Sequence, residues 1–397
     1  MIWGNITAVN KITGRLASRA PVPPGAGLAV EVAVFAPSTS AKTRNYDYMY
    51  DEVDVGSSDF TALQFEFAVL GAPVRWYYLE QLPTLPQTTL DAIKLAVILS
   101  PTVLSDELAK SIKSRLATDN RTVVYTSHVG LKTTPTAGFN LSRAAGLTGM
   151  PSLRGHDNAV PVQTKLIATS LTAFPNAPHW STPLLHSASL PNRVWEGECG
   201  NSWGGETGVS RGWLTANQSS PWWSVGEEDT SVAILGRFDG NATNDGLASV
   251  AWRDNGDHKV LYSGYAWLPR MAWRTIAETA GVHMYVDGGG KDTYPSCPIC
   301  NGDHSRNITE CPRCIDTGSG TCMGYGDVAV ASGTALMIHA GATLMQGPDK
   351  VREVKLPCAA KTVVDEAGAA ICNECSSFNT VAMEAGDVLL YEIDIAC

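Results

Sequence analysis

Cys297-Pro-Ile-Cys300 and Cys311-Pro-Arg-Cys314 stand ten residues apart. Four thiolates at that spacing can surround a tetrahedral zinc ion. Inside the same loop, Asn307-Ile308-Thr309 is an N-glycosylation sequon, which has meaning only in the secretory pathway, where thiols oxidise. The two chemistries compete for the same sulfurs, because zinc needs reduced thiolates. The rest of the cysteines decide between them: Cys199, Cys322, Cys358, Cys372, Cys375 and Cys397 bring the count to ten, and none precedes residue 199. An even number concentrated in Gly-, Pro- and Asn-rich sequence is the pattern of a disulfide framework. Five further sequons, at Asn5, Asn120, Asn140, Asn217 and Asn241, point the same way. The expectation is a disulfide-bonded extracellular or cell-surface glycoprotein, with N-linked glycans as its only non-protein groups. Cross-links are expected between the two Cys-x-x-Cys pairs, or to Cys322 and the later cysteines. Zinc at Cys297, Cys300, Cys311 and Cys314 is the alternative.

Other reactive side chains form no constellation. Ser127-His128 follows an apolar run, but neighbouring side chains on extended backbone point apart and cannot act as nucleophile and base. The glycines of a Gly-x-Ser-x-Gly elbow are incomplete there. The eight histidines, at 128, 156, 179, 186, 258, 283, 304 and 339, show no His-x-x-x-His spacing for a metal. Glu196/Glu198 and Glu227/Glu228/Asp229 are adjacent carboxylates in polar loops, without the facing arrangement glycoside chemistry needs. Gly288-Gly289-Gly290 lacks the strand and helix of a phosphate loop and reads as a hinge. No catalytic residue and no cofactor site is therefore assigned.

The 397 residues suffice for two or three domains, each with its own core. A net charge of -10 argues against a nucleic-acid partner, since no Lys/Arg cluster stands ready to neutralise phosphates. No apolar run reaches the length of a membrane span. Met1-Ile2-Trp3-Gly4-Asn5 has neither the basic nor the apolar region of a signal peptide. The sequence thus reads as a cytosolic start or as a stretch beginning within a longer precursor.

Elements that could position these residues follow from periodicity. Leu28–Phe35, Val74–Leu79, Leu95–Ser100 and Thr122–Thr126 read as buried strands. Phe60, Leu63, Phe67 and Leu70 recur at helical spacing before Gly71. Ser105 can cap a helix carrying Leu108, Ile112 and Leu116 on one face. Alternating strands and helices predict a doubly wound parallel sheet. Ser231–Phe238, Ala248–Arg253 and His258–Tyr262 resume the strands, and Pro269–Ala280 reads as a helix. Between them, about 171–228, lies an insertion holding Trp180, Trp195, Trp203, Trp213, Trp222 and Trp223. Such indoles can stack on sugars, or simply give the insertion something to bury, and burial is the preferred account. Past residue 288, Asp327–Ala331, Ala335–His339, Arg352–Leu356, Thr362–Asp365 and Val388–Ile395 predict a small antiparallel β-sandwich interrupted by the Cys-rich stretch 294–322.

Ala96-Val97-Ile98-Leu99-Ser100, Leu104-Ser105, Arg121-Thr122-Val123-Val124-Tyr125 and Ala145-Gly146-Leu147-Thr148-Gly149 resemble the trimerisation domain of glycoside hydrolase family 42 β-galactosidases. Leu261-Tyr262-Ser263-Gly264, Ala280 to Tyr285, Ala335 to Ala340 and Val354-Lys355-Leu356-Pro357 are similar to the passage into their small C-terminal β domain. The resemblance implies a flavodoxin/amidotransferase-like α/β domain over 25–287 and a β domain over 288–397. Residues 1–24 then form an N-terminal segment, the tail of an absent upstream domain. Two departures matter: the family's catalytic glutamates lie on a (β/α)8 barrel not present here, and the amidotransferase nucleophile would be a Cys where this chain has Ser127 or His128. What remains is the family's use of this domain in assembly. The chain is expected to be non-catalytic and to form a homo-oligomer or a polymer. The alternatives are the accessory half of a glycoside hydrolase whose barrel is elsewhere, or a carbohydrate-binding module on the tryptophan insertion.

Overall fold

A computed structural model describes residues 27–36, 67, 70–99, 103–126, 129–134, 137–138, 140–150, 153–159, 163–166, 220–226, 231–239, 247–264, 270–286, 293–294, 322–323, 328–339, 351–383 and 387–395. The first part contains β1 (Val32–Ala36), β2 (Val74–Tyr78), a 3-10 turn (Leu79–Thr84), α1 (Gln87–Asp91), β3 (Leu95–Leu99), α2 (Asp106–Arg115), β4 (Thr122–Thr126) and α3 (Leu141–Thr148). There follow β5 (Leu153–Ala159), β6 (Gln163–Leu166), β7 (Ser220–Val225), β8 (Val232–Asp239), β9 (Ala248–Asp254), β10 (Lys259–Ser263) and α4 (Arg270–Thr279).

All ten strands join one sheet, in the order β2-β1-β3-β4-β10-β9-β7-β5, with β8 also on β9 and β6 on β8. From β2 to β10 every pairing is parallel. Strands β1, β3 and β4 are buried at every position, as two covered faces require. Phe35, Ile98, Val123 and Tyr125 share a core with Ile112 and Leu116 of the α2 segment and Ala144 and Leu147 of α3. α4 buries Trp273 against Phe67, ring centroids 4.6 Å apart.

The doubly wound parallel sheet is correct only for this half. β9 and β10 are joined through Asn255-Gly256-Asp257-His258, too short for a crossover, so they run antiparallel. The antiparallel pairings continue through β8, β7, β6 and β5. Within the expected tryptophan insertion, Trp222 and Trp223 stand in β7, paired with β5. Trp180, Trp195, Trp203 and Trp213 lie outside the described residues.

A two-stranded ribbon, β11 (Thr293–Tyr294) with β12 (Cys322–Met323), pairs Tyr294 with Cys322 and so closes the base of the Cys-rich stretch. Then β13 (Val328–Ser332), β14 (Ala335–His339), β15 (Glu353–Asp365), β16 (Ala370–Asn379) and β17 (Val388–Ile395) form an antiparallel sheet ordered β13-β14-β17-β15-β16. Among the described residues this is one sheet and not the two of a sandwich. Its buried face is covered in part by Leu28, Tyr285 and Val286, which flank the first sheet in sequence. The expected strands at Arg352–Leu356 and Thr362–Asp365 are one strand, β15, bulged around Pro357. It advances from Lys355 to Ala360 while β16 moves only from Ser377 to Cys375. No helix among the described residues is long and apolar enough to cross a membrane.

Candidate functional site

The strand order β2-β1-β3-β4-β10 is that of flavodoxin-like sheets, in which ligands bind beyond the carboxyl ends of the parallel strands. Ser127 and His128 directly follow β4 in sequence but lie outside the described residues, as do residues 37–66 and 100–102 after β1 and β3. The geometry that can be built there is the exit of β3 into α2 and of β4 into α3. Val103 bridges Lys132 in parallel, and the Leu104 N–H donates to Lys132 O at 2.9 Å. Ser105 Oγ accepts from Leu108 N at 3.2 Å and caps α2, whose Asp106 and Glu107 complement the helix dipole. Asn140 Oδ1 accepts from Arg143 N at 2.9 Å and caps α3, which Gly149 terminates at φ 70°.

Arg143 sews these exits together. Its guanidinium donates to Gly130 O and Leu104 O, both at 2.7 Å, and to Asp106 Oδ1 at 3.0 and 3.3 Å. Gly130 is at φ 68°, and a Cβ there would meet Leu147 Cδ2 at 2.8 Å. Nothing in the local sequence marks Arg143, since its partners come from loops brought together by the fold.

Between α2 and α3 a groove of about 460 Å³ opens beside this arginine. Ala109 and Leu147 form its apolar base, and Lys110, Lys113 and Ser114 stand on its α2 side. Asp106, the one carboxylate, is already engaged by Arg143. Lys110 and Lys113 form no ion pair among the described residues. In a chain of net charge -10 this is a local excess of positive charge. Its chemistry is to hold an anionic group; the lining offers no His, Cys or second carboxylate to move a proton. Sulfate or a uronic acid is expected to bind at low ionic strength, measured by calorimetry. Replacing Lys110 and Lys113 with alanine together should weaken it about tenfold, at roughly 0.7 kcal/mol per exposed charge. Equal affinity in the double variant would remove the lysines from the site.

Other polar side chains among the described residues do not line this groove. Tyr125 and Tyr262 are register partners on β4 and β10, and burial pushes both hydroxyls well above their usual pKa. His258 bonds Asp257 Oδ1 at 2.7 Å on an exposed turn. The carbonyl of Lys355 accepts from His283 Nε2 at 3.0 Å, which fixes that ring's tautomer. His128, His179, His186 and His304 lie outside the described residues, as do Glu196, Glu198, Glu227, Glu228 and Asp229.

Of the cysteines, Cys372 and Cys375 are joined to each other, and Cys358 is disulfide-bonded too. Cys372 and Cys375 thus pair with each other and with no cysteine of the Cys-rich loop. Cys322 is placed only through its strand backbone, and Cys199, Cys297, Cys300, Cys311, Cys314 and Cys397 lie outside the described residues. No group of three or more metal-ligating side chains occurs among the described residues, which do not include the Cys297–Cys314 quartet. Asn120 and Asn140 are exposed, and the other sequon residues, Asn5, Asn217, Asn241 and Asn307, lie outside the described residues.

No family model matches the sequence. No curated protein matches it either. Among solved structures, the fold is similar to a β-galactosidase from Bacillus circulans sp. alkalophilus, with TM-score 0.51 and 10% identity over 92% of this chain and 42% of that one. It is also similar to Gan42B, a GH42 β-galactosidase from G., with TM-score 0.50 and 11% identity over 92% of this chain and 40% of that one. The chain thus spans about two fifths of the length of the structures it matches.

Proposed function

We propose that this chain is a non-catalytic accessory unit of the kind found within glycoside hydrolases, and that it works by associating with copies of itself. The observation that carries the reading is the extent of the fold likeness: 92% of this chain is matched, against 42% and 40% of two β-galactosidases. The division proposed is an α/β domain over 25–287, a β domain over 288–397 and an N-terminal segment over 1–24. An extracellular or cell-surface setting is supported by the disulfides at Cys358 and Cys372–Cys375 and by the exposed sequons at Asn120 and Asn140. In this proposal Cys199, Cys297, Cys300, Cys311, Cys314, Cys322 and Cys397 are oxidised and no zinc is bound.

Sedimentation of the glycosylated chain at micromolar concentration tests association. A stable oligomer is expected, and monomer alone would overturn the assembly role. Incubation with an aryl β-galactoside is expected to give no turnover. Hydrolysis that disappears in Ser127→Ala or His128→Ala would overturn the non-catalytic reading independently of the first result.

A further inference from the structure

β16 is the outer strand of the five-stranded sheet and pairs with β15. Within it, Cys372 and Cys375 are disulfide-bonded with their Cα atoms 6.1 Å apart. Three residues of extended strand would span about 10 Å, so the chain doubles back between the two cysteines. Glu374 makes the bend at φ 50°, a left-handed conformation disfavoured for any residue with a side chain. Both cysteines are half-buried at this edge and neither is sealed in the core. The ring also ties together no two separate elements. The β15–β16 ladder is held on both sides of it, by Val354 with Phe378 and Lys355 with Ser377 at one end and by Val364 with Ala370 at the other.

We propose that Cys372–Cys375 is a thiol–disulfide exchange site whose substrate is a dithiol reductant, small or carried on a protein. A thiolate of the dithiol attacks one sulfur, forming a mixed disulfide and releasing the other cysteine as a thiolate that takes up a proton. The second thiol of the reductant then displaces the mixed disulfide. The reductant leaves as its own disulfide, and Cys372 and Cys375 are left as two thiols, having gained two electrons and two protons. Opening the ring frees Glu374 to return to extended backbone and straightens the sheet edge. Because the ladder brackets the ring, the sheet survives its opening.

The native protein, without denaturant, is titrated with dithiothreitol, alkylated and mapped by peptide mass. Cys372 and Cys375 are expected to label at a dithiol concentration at least about tenfold below that needed for Cys358, with the far-ultraviolet circular dichroism unchanged. Resistance of the pair until the protein unfolds, or reduction of Cys358 at the same concentration, would overturn the proposal. The Cys372→Ser/Cys375→Ser double variant is expected to fold; failure to fold would show the ring to be structural. Glu374→Gly, which removes the penalty of the left-handed bend, should raise the reducing midpoint about fivefold. An unchanged or lower midpoint would count against the link between bend and exchange.

Discussion

Arg121→Met is expected to destabilise the protein by about 3–5 kcal/mol, because four backbone carbonyls lose their donor at roughly 1 kcal/mol or more each. Arg121 is 3% exposed and stands immediately before β4, at the amino end of the strand. Its guanidinium donates to Ile93 O at 2.8 Å, Arg115 O at 2.8 Å, Leu116 O at 3.2 Å and Leu90 O at 3.0 Å. Leu90 belongs to α1, and Arg115 and Leu116 end α2, so one side chain satisfies carbonyls that two helix termini leave open. Burial lowers the guanidinium's pKa from its ordinary value, and the carboxylates of Asp119 and Asp91 oppose that shift. Asp119 sits 3.6 Å away but is 68% exposed, so its charge contributes little next to the four hydrogen bonds. Methionine keeps the volume and leaves those carbonyls without a donor, each worth roughly 1 kcal/mol or more when buried. Arg121→Lys keeps the charge but not the planar fork, and should lose about half as much. Urea unfolding measures both. A loss under about 1 kcal/mol for the methionine variant would mean that water replaces the guanidinium at no cost.

The parallel half of the fold was legible because burial on two faces writes itself into composition. Leu95 to Leu99 and Thr122 to Thr126 are apolar or β-branched throughout, and Ser105 with its acidic first turn announces α2. β16 was not legible. Ala-Ile-Cys-Asn-Glu-Cys-Ser-Ser-Phe-Asn has no alternation, because nearly every position of this outer strand is exposed or half-exposed. The direction of β9 and β8 was missed for another reason. Periodicity locates a strand without giving its partner, and only the short Asn255–His258 turn carried the antiparallel pairing. The candidate site was the least readable part. Arg121 had a local signal, a charge set against a wholly buried strand. Arg143, Lys110 and Lys113 look like ordinary surface helix charges until α2 and α3 are brought side by side.

A second large effect is expected from Gly27→Ala, about 3 kcal/mol, with the two sheets ceasing to unfold together. Gly27 is at φ 105°, and a Cβ on it would lie 2.5 Å from Gly333 O and 2.6 Å from Gly333 C. Those are backbone atoms of the β13–β14 turn, where Gly333 is itself at φ 58°, so no side-chain rotation can make room. The next residue, Leu28, donates its N–H to Gly333 O at 2.7 Å and buries its side chain against the five-stranded sheet at 7% exposure. Alanine therefore adds backbone strain of about 1–3 kcal/mol and loses a hydrogen bond worth about 1 kcal/mol. A second attachment persists where the chain leaves α4: Lys355 N donates to Tyr285 O at 2.8 Å, and Tyr285 N to Gly71 O at 2.8 Å. With both attachments intact, the parent should unfold in one calorimetric transition. With only the Tyr285 attachment left, the five-stranded sheet should melt first and separately. A single transition at the parent temperature in the alanine variant would show that the close approach of Gly27 to Gly333 does not couple the two sheets.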